Sequence, residues 1–311
     1  GHSDIILPAT TSLERNDISI KHWDQTISPM YKAIEPIGES KSDYEIFTEI
    51  ASKLNFKDKF TEGKDEDKWL RHIWDEARSK AKDEGFTLPE FDKFWKNGFQ
   101  EVLSPKKQTI LLEDFRKDPE KNPISTPSGK IEIFSETVDS FNYQDCPGHP
   151  TWLEQKEWLG SNLTNQYPLQ LISGQPHNRL HSQLDNGSES QNYKILGREP
   201  IKIHPKDAQL RGLINGDIVE VFNKRGKCLA GVIISNEVMK GVVFLAVGAW
   251  YDPINDGDFC IHGNPNVLTE DIGTSSLAQG PSAHSTLVEI KKYTKELPEI
   301  NISHKPSIVN K

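Results

Sequence analysis

The sequence is short of cysteine, and this limits the kinds of metal site it can hold. Only three cysteines occur among 311 residues, at Cys146, Cys228 and Cys260. They are widely separated and form no C-x-x-C pair, so the chain carries no signature of an iron–sulfur cluster or a structural zinc site. The odd number also argues against a framework of disulfides.

Long apolar runs and an excess of basic charge are missing as well. No apolar stretch approaches the ~20 residues that a membrane-spanning helix needs. The chain has 46 acidic side chains against 37 Lys and Arg, which gives a formal net charge of −9. Because nucleic-acid binding requires a basic face, this balance argues against a nucleic-acid partner. The length of 311 residues is sufficient for two ordinary domains.

The most informative segment is a polar loop without any carboxylate, Gly174–Gln183, which we call the donor loop. An alternating run, Pro168–Ser173, predicts a short strand before it, and Gly174 and Pro176 mark the turn. In an acidic chain, a donor-rich loop without acid favours an anionic ligand, because the forked donors of Arg match phosphate oxygens. Its polar side chains are Gln175, His177, Asn178, Arg179, His181, Ser182 and Gln183.

Two later segments complete the pattern. Ile203–Gly226 combines a strand end, a helix opened by Pro205, an Asn-Gly turn and the start of a hairpin. His262–Glu289 is rich in glycine, serine and threonine, which permit the close approach of a flat ring. The polar residues of interest within it are Asn264, Asn266 and Gln279.

In this order and spacing the three segments resemble the C-terminal cofactor-binding domain of molybdopterin oxidoreductases. The similarity is greatest to the dimethyl sulfoxide reductase family, which includes trimethylamine N-oxide and biotin sulfoxide reductases. It covers almost the whole chain apart from roughly Asn55–Asp114. Four earlier segments also fit this family: Ser3–Asp17, Gly38–Phe47, Thr126–Ser135 and Asp145–Leu153.

The resemblance implies a fold of the α/β and β class, with a mainly helical N-terminal remnant of an α/β domain followed by a double-psi β-barrel. Residues 1–165 would be the end of an upstream α/β domain with a helical and irregular linker. Residues 166–293 would form the dinucleotide-binding barrel, and residues 294–311 a C-terminal tail. Six or so short strands after Pro168 independently favour a small closed barrel. Apolar patterns also predict strands at Ser3–Thr11 and Ile131–Phe134.

Helical patterns occupy the first half of the chain. Ser42 and Glu45 have the spacing of a capping box before an apolar helix. A second helix is predicted from about Asp65–Lys82, and a third with Pro89 in its first turn and Gly98 at its end. We interpret the aromatic stripes of these helices as core packing rather than as a cofactor site.

The resemblance implies a cofactor, bis-molybdopterin guanine dinucleotide with molybdenum. Gly174 would let the backbone approach the cofactor, Arg179 would hold phosphate, and the other polar side chains would hydrogen-bond to the pterin and sugar. No catalytic residue is expected in this chain, and the molybdenum ligand is expected upstream of it. The predicted cofactor-binding residues are Gly174, Gln175, His177, Asn178, Arg179, His181, Ser182, Gln183, Asn264, Asn266 and Gln279.

Several polar residues permit simpler interpretations. His177 and His181 are spaced like metal ligands on a helix, but Asn178 stands where H-E-x-x-H has its glutamate. Cys146 has the right chemistry for a molybdenum ligand, but in the family that ligand comes from an upstream domain, so we interpret Cys146 as structural. Three residues of the barrel motif are assigned to caps and turns rather than to catalysis: His204, Asp207 and Asp217.

The implied function is the reduction of a small S-oxide or N-oxide by oxygen-atom transfer at molybdenum. An electron-donor protein, such as a c-type cytochrome, would be the partner, and the bacterial periplasm is favoured over the cytoplasm. The chain opens at Gly1 without an initiator Met or a leader, so we expect a C-terminal piece of a larger enzyme that is inactive alone.

Two other functions are compatible with parts of the same sequence. A non-catalytic double-psi β-barrel binding module is the main alternative, because a fold does not fix a function. Such a module has no reason to carry both polar loops. A hydrolase is the third possibility, but the sequence has neither a nucleophile elbow nor a metal motif.

Overall fold

A computed structural model of the protein describes residues 3–20, 25–102, 110–254, 257 and 259–304. The chain divides into two compact units, Gly1–Asn122 and Pro123–Lys311. Across the described residues, no helix combines the length and the apolar composition that a membrane span requires.

The first unit contains five described helices and a small antiparallel sheet. The helices are α1 (Asp43–Lys53), α2 (Lys57–Thr61), α3 (Glu66–Asp83), α4 (Phe91–Asn97) and α5 (Glu113–Lys117). The strands pair in the order β1-β2-β3 and are β1 (Asp17–Ile20), β2 (Thr26–Met30) and β3 (Gln100–Glu101).

Capping groups determine where these helices begin and end. The Glu45 backbone N–H donates to the Ser42 hydroxyl at 3.1 Å, and the Ser42 N–H donates to the Glu45 carboxylate at 2.9 Å, which confirms the capping box. α3 lies where the sequence predicts it. α4 ends at Gly98 as predicted, with a φ of 81° there, but it begins only at Phe91, so Pro89 precedes its first turn.

Aromatic side chains form the core of the first unit. The rings of Trp74 and Phe94 are stacked with centroids 3.7 Å apart, and both side chains are fully buried. The indole N–H of Trp74 donates to the Pro89 carbonyl at 2.8 Å. These stripes are therefore core packing, as interpreted from the sequence.

Two predicted strands are wrong. Ser3–Thr11 forms only an isolated bridge at Ala9, and Ile6 is 66% exposed. Ile131–Phe134 is irregular, and Ile133 is 83% exposed. Both segments have the apolar pattern of a strand, but no described strand lies beside either of them to complete a sheet and bury it.

The second unit is built on a closed barrel. Its helices are α6 (Glu136–Asp139), α7 (Ser188–Tyr193) and α8 (Pro205–Leu210). Its strands are β4 (Leu169–Ile172), β5 (Pro200–Ile203), β6 (Ile218–Phe222), β7 (Lys227–Ile234), β8 (Val242–Leu245), β9 (Pro253–Ile254), β10 (Phe259–Cys260) and β11 (Leu287–Lys292).

Six of these strands close the barrel. They pair in the order β5-β8-β4-β11-β6-β7, and β5 also pairs with β7, so the sheet has no open edge along this circuit. β4–β8 and β5–β7 are parallel, whereas β6–β7 is the predicted antiparallel hairpin. The predicted class, a mainly helical first part followed by a double-psi β-barrel, is confirmed.

Alternate residues of the strands fill the barrel with aliphatic side chains, because successive residues of a strand face opposite sides. Fully buried members of this core are Leu169, Leu171, Ile201, Ile203, Val219, Val221, Val243 and Leu245. The rigid barrel leaves its connecting loops, including the donor loop after β4, to form a site.

Candidate cofactor-binding site

One cavity in the second unit brings parts of both predicted loops together. Its volume is about 890 Å³. The donor loop follows β4, and Asn264 and Asn266 follow β10, so the barrel places side by side two segments that are distant in sequence. The predicted residues that line this cavity are Gly174, Gln175, His181, Ser182, Asn264 and Asn266.

The lining of this cavity combines apolar surface with polar side chains. No Asp, Glu, Lys or Arg is found among the described residues that line it. Amides, hydroxyls, imidazoles and two aromatic side chains, Trp250 and Tyr251, surround the space instead. Such a mixture of apolar faces with a few placed donors and acceptors suits a flat heterocycle better than a bare anion.

The middle of the donor loop lines a second cavity. His177 and Asn178 line this smaller cavity of about 390 Å³, together with the aromatic side chains of Tyr193 and Phe244. Gln175 lines both cavities. His177 and His181 therefore belong to different cavities, which does not favour a shared metal ion.

Two glycines allow the backbone to pass closely here. A Cβ on Gly174 would lie 3.0 Å from the Phe244 ring. Gly248 has a φ of 92°, and a Cβ on it would lie 1.8 Å from the His181 carbonyl oxygen. Because no side chain fits at that distance, Gly248 is required for the chain after β8 to pack against the donor loop.

Arg179, the predicted phosphate contact, is bound by groups within the chain. Its side chain is fully buried, and Nη2 lies 3.0 Å from Glu199 Oε1. Nη2 also donates to the Val247 carbonyl at 2.8 Å, while Nε donates to the His181 carbonyl at 3.1 Å. Glu199 compensates the positive charge, so Arg179 ties the donor loop to the barrel instead of lining the cavity.

Arg179 belongs to a buried ion cluster together with Asp185, Lys194 and Glu199. Lys194 Nζ lies 2.8 Å from Asp185 Oδ1 and 3.1 Å from Glu199 Oε2. Two cations and two anions balance one another, as charges removed from water must. Burial acts to raise the pKa of Asp185, but hydrogen bonds from Lys194 and the Trp250 N–H outweigh it and hold that pKa below its ordinary value.

His262 adds a neutral group beside this cluster. It is 2% exposed. Burial, and then the charge of Lys194, lowers the pKa of His262 below its ordinary value. Nδ1 of the ring lies 2.9 Å from the Trp250 carbonyl oxygen. Because a carbonyl only accepts, the neutral ring carries its proton on Nδ1 and donates it there.

The second predicted loop is organised by a capping asparagine. Asn264 Oδ1 accepts from the Asn266 N–H at 2.8 Å, and its Nδ2 donates to the Ala249 carbonyl at 2.8 Å. These bonds fix the turn that presents the exposed Asn266 at the cavity. Gln279 lies outside the lining, where its amide donates to the Ser275 carbonyl at 3.0 Å. Gln183 is exposed and also outside it.

Comparison with known proteins finds two family matches. Residues 1–53 match the sequence profile of the Molybdopterin oxidoreductase family, and residues 169–287 match the Molydopterin dinucleotide binding domain. The chain therefore resembles the molybdopterin oxidoreductases in two separate segments. The second match contains the donor loop and the asparagine turn, so both loops of the 890 Å³ cavity lie within the matched dinucleotide-binding domain.

Individual relatives agree with this family. The chain is 44% identical to the trimethylamine-N-oxide reductase of Haemophilus influenzae over an alignment of 316 residues. This alignment covers 99% of the chain and 38% of the relative. The chain is also 44% identical to the dimethyl sulfoxide/trimethylamine N-oxide reductase of Rhodobacter capsulatus, over 94% of this chain and 36% of the relative. The chain thus spans 36% to 38% of the length of these relatives. The resemblance to the dimethyl sulfoxide reductase family is confirmed.

A solved structure shares the fold of this chain. Acetylene hydratase from Pelobacter acetylenicus superposes on this chain with a TM-score of 0.67 at 20% sequence identity. The superposition covers 92% of this chain and 38% of the acetylene hydratase chain. The expected cofactor, molybdopterin guanine dinucleotide with molybdenum, is confirmed by the family matches. The cavity fits its organic part, because it offers aromatic faces and neutral hydrogen-bonding groups.

Sequence reasoning missed several residues that line this cavity, among them Trp250, His284 and Ile302. Trp250 lies in the turn-rich segment G-A-W-Y-D-P, which is the signal that could have found it. Ile302 belongs to the tail, which Asp252 holds by accepting from the N–H groups of Asn301 and Ile302 at 2.7 and 3.1 Å. The tail has no motif that indicates this contact.

His204 and Asp207, which the sequence analysis assigns to caps and turns, make hydrogen bonds to the backbone. His204 caps α8 by accepting from the Lys206 N–H at 3.2 Å, and Asp207 accepts from the Gly241 N–H at 2.7 Å. Cys146 is a free, half-buried thiol. Among the residues that the structure describes, no three His, Cys, Asp or Glu side chains converge as a metal site.

Proposed function

We propose that this chain provides the dinucleotide-binding part of a molybdenum-dependent reductase of S-oxides or N-oxides. The observation that carries the proposal is that both ends of the donor loop meet the asparagine turn at one cavity of a double-psi barrel. The residues concerned are Gly174, Gln175, His181, Ser182, Asn264 and Asn266. The relatives named as trimethylamine-N-oxide and dimethyl sulfoxide reductases support the substrate class. Bound molybdenum would supply the oxygen-atom transfer, and the protein would supply binding and orientation.

The residues of the cavity would divide this binding work among them. Gly174 and Gly248 permit close backbone approach, while Gln175, Ser182 and Asn266 offer neutral hydrogen-bonding groups. The amide of Gln175 is already oriented, because its Oε1 accepts from the His181 N–H at 3.2 Å. The buried ion cluster would hold the donor loop in place before binding, which lowers the entropy lost on association.

We also propose that an electron-donor protein, such as a c-type cytochrome, serves this reductase in the bacterial periplasm. The support is the resemblance to the dimethyl sulfoxide reductase family. Cell fractionation with antibody against this chain tests the location. Oxidation of a reduced c-type cytochrome on addition of trimethylamine N-oxide tests the donor.

The cofactor proposal is tested by measuring molybdenum and guanine nucleotide per mole of the purified reductase that contains this chain. Asn266→Ala removes an exposed amide at the cavity, whereas Gln183→Ala removes an exposed amide of the donor loop outside it. We expect Asn266→Ala to lower cofactor content and Gln183→Ala to leave it unchanged. Wild-type protein without molybdenum and guanine nucleotide, or equal loss in both variants, would contradict the proposal.

A further inference from the structure

Trp250 lines the 890 Å³ cavity and has no ring partner among the residues that the structure describes. The residue is half-buried. Trp74 is stacked on Phe94 and Trp95 on Phe91, but among the residues that the structure describes no aromatic ring or cation packs on the Trp250 indole. A half-buried tryptophan at a cavity leaves apolar ring surface available to a ligand.

Three hydrogen bonds fix the position of this residue. The indole Nε1 donates to the Ser182 carbonyl at 2.7 Å. The Trp250 backbone N–H donates to Asp185 Oδ2 at 3.0 Å, and its carbonyl accepts from the His262 ring at 2.9 Å. The indole N–H therefore already has a hydrogen-bond partner within the chain. The buried Asp185 and His262 hold the backbone of Trp250, and the Ser182 carbonyl of the donor loop holds its side chain, so little freedom remains to be lost on binding.

The surroundings of Trp250 indicate which part of a dinucleotide this space would take. The lining carries amides, hydroxyls and imidazoles but no fixed cation among the described residues. Phosphate binding draws on Arg, Lys or a helix N-terminus, and the one Arg of the donor loop is neutralised by Glu199. An aromatic ring with neutral donors and acceptors around it is instead the usual environment of a bound heterocycle.

We propose that Trp250 is the stacking residue for a bicyclic 2-amino-4-oxopyrimidine ring, the ring chemistry that pterin and guanine share. This inference rests on the proposed function and adds a binding residue to it. Asp185 and His262 act as positioning residues, because they hold the Trp250 backbone from behind without reaching the cavity lining. Stacking on an aromatic side chain strengthens binding by roughly 5- to 100-fold.

The first test compares three variants of the purified reductase. Trp250→Phe keeps a ring and loses the indole N–H, Trp250→Leu removes the ring, and Trp152→Leu is the control at a tryptophan that is 73% exposed and outside the cavity. We expect Trp250→Leu to lose cofactor by roughly 5- to 100-fold in affinity. Trp250→Phe and Trp152→Leu should retain it, and the unfolding transition of each variant shows whether folding is intact.

The second test identifies the ring. Cofactor-free protein is titrated with GDP, with 6-carboxypterin and with ADP, which lacks the 2-amino-4-oxo edge, while tryptophan fluorescence is followed. Quenching by GDP alone places the guanine end at Trp250, and quenching by the pterin alone places the pterin end there. Either quench should exceed that of ADP and should be absent in Trp250→Phe.

The outcomes separate this inference from the proposed function. Wild-type protein without cofactor would overturn the proposed function and the stacking together. If the wild-type protein binds cofactor and Trp250→Leu has the same cofactor content, only the stacking proposal is overturned. Equal loss in the Phe and Leu variants, with unchanged unfolding, would also overturn it, because the bond to Ser182 would then be the decisive feature. No quench by either ring in the wild type contradicts it as well.

Discussion

At the scale of single residues, charge compensation determines which side chains can act in the cavity. The buried ion cluster neutralises itself, and among the described residues no Asp, Glu, Lys or Arg lines the cavity. Nη1 of Arg179 is buried without a hydrogen-bond partner, so even this network is incompletely satisfied. Removing one member strands a buried charge, which costs about 3–5 kcal/mol, while removing an oppositely charged pair is often nearly neutral.

Arg179 allows this difference to be measured. We expect Arg179→Ala to lower the free energy of unfolding by about 3–5 kcal/mol, because Glu199 loses its nearest cation. The double variant Arg179→Met with Glu199→Gln should recover most of that loss and also the cofactor content. Arg15→Ala is the control, since its ion pair with Asp17 is partly exposed and worth about 0–1 kcal/mol.

Urea unfolding and molybdenum content per mole are measured on all four proteins. A direct phosphate contact by Arg179 makes a different prediction. The double variant would then regain stability while its cofactor content stayed low, and the positioning role assigned here would be wrong.

His262 predicts a loss of stability in mild acid. Burial depresses the pKa of its folded state, so the unfolded chain binds the proton more readily. The stabilisation is therefore complete above the unfolded pKa of about 6.5 and is lost as the pH falls toward the lower folded value. The slope is at most about 1.4 kcal/mol per pH unit for one proton.

Urea unfolding at pH 7.5 and at pH values below 6.5 checks this expectation. His262→Gln should lessen the difference between the two pH ranges, whereas His177→Gln, at an exposed position, should leave it intact. An unchanged pH profile in His262→Gln would show that another group is responsible.

At the scale of elements, signals between neighbouring residues specify caps, turns and the hairpin. The Ser42 capping box, the stop at Gly98 and the β6–β7 hairpin each depend on a few adjacent residues, and the sequence predicts all three. Ser3–Thr11 shows the limit, because an apolar run becomes a strand only where another strand pairs with it.

The candidate site also combines features set by neighbouring residues with features set by residues distant in the sequence. The composition of the donor loop is local, so Gln175, His181 and Ser182 could be predicted from the sequence. Whether a loop side chain faces ligand or core depends on distant partners. Glu199 turns Arg179 inward, and Trp250 reaches the loop from 68 residues away, so neither role could be read from the loop itself.

The contact between Gly248 and the donor loop gives a prediction about an element. We expect Gly248→Ala to destabilise the barrel unit and to lower cofactor content, because a Cβ would lie 1.8 Å from the His181 carbonyl oxygen at a φ of 92°. Gly212→Ala is the control, since its φ of 62° is also positive but nothing lies within 4 Å of its Cβ. The control should cost only about 1–2 kcal/mol for the left-handed backbone.

Thermal unfolding and cofactor content of the two variants separate the steric effect from the backbone effect. Equal losses in Gly248→Ala and Gly212→Ala would mean that the close approach to His181 does not matter.

At the scale of the whole molecule, each compact unit has its own apolar core. The core of the first unit is built from aromatic side chains around Trp74 and Phe94. The core of the second unit is the aliphatic barrel interior, which contains Leu171. Because the predicted cofactor loops lie in the second unit, ligand binding and the stability of that unit should be linked.

Two separate cores predict two unfolding transitions in calorimetry. Truncating a fully buried core side chain costs about 2–5 kcal/mol. Phe94→Ala should lower the midpoint of one transition and Leu171→Ala that of the other, because each side chain packs within its own unit. Cofactor content should fall with Leu171→Ala and persist with Phe94→Ala, since only the barrel carries the cavity. A single transition that both substitutions shift equally would show that the two cores unfold as one cooperative structure.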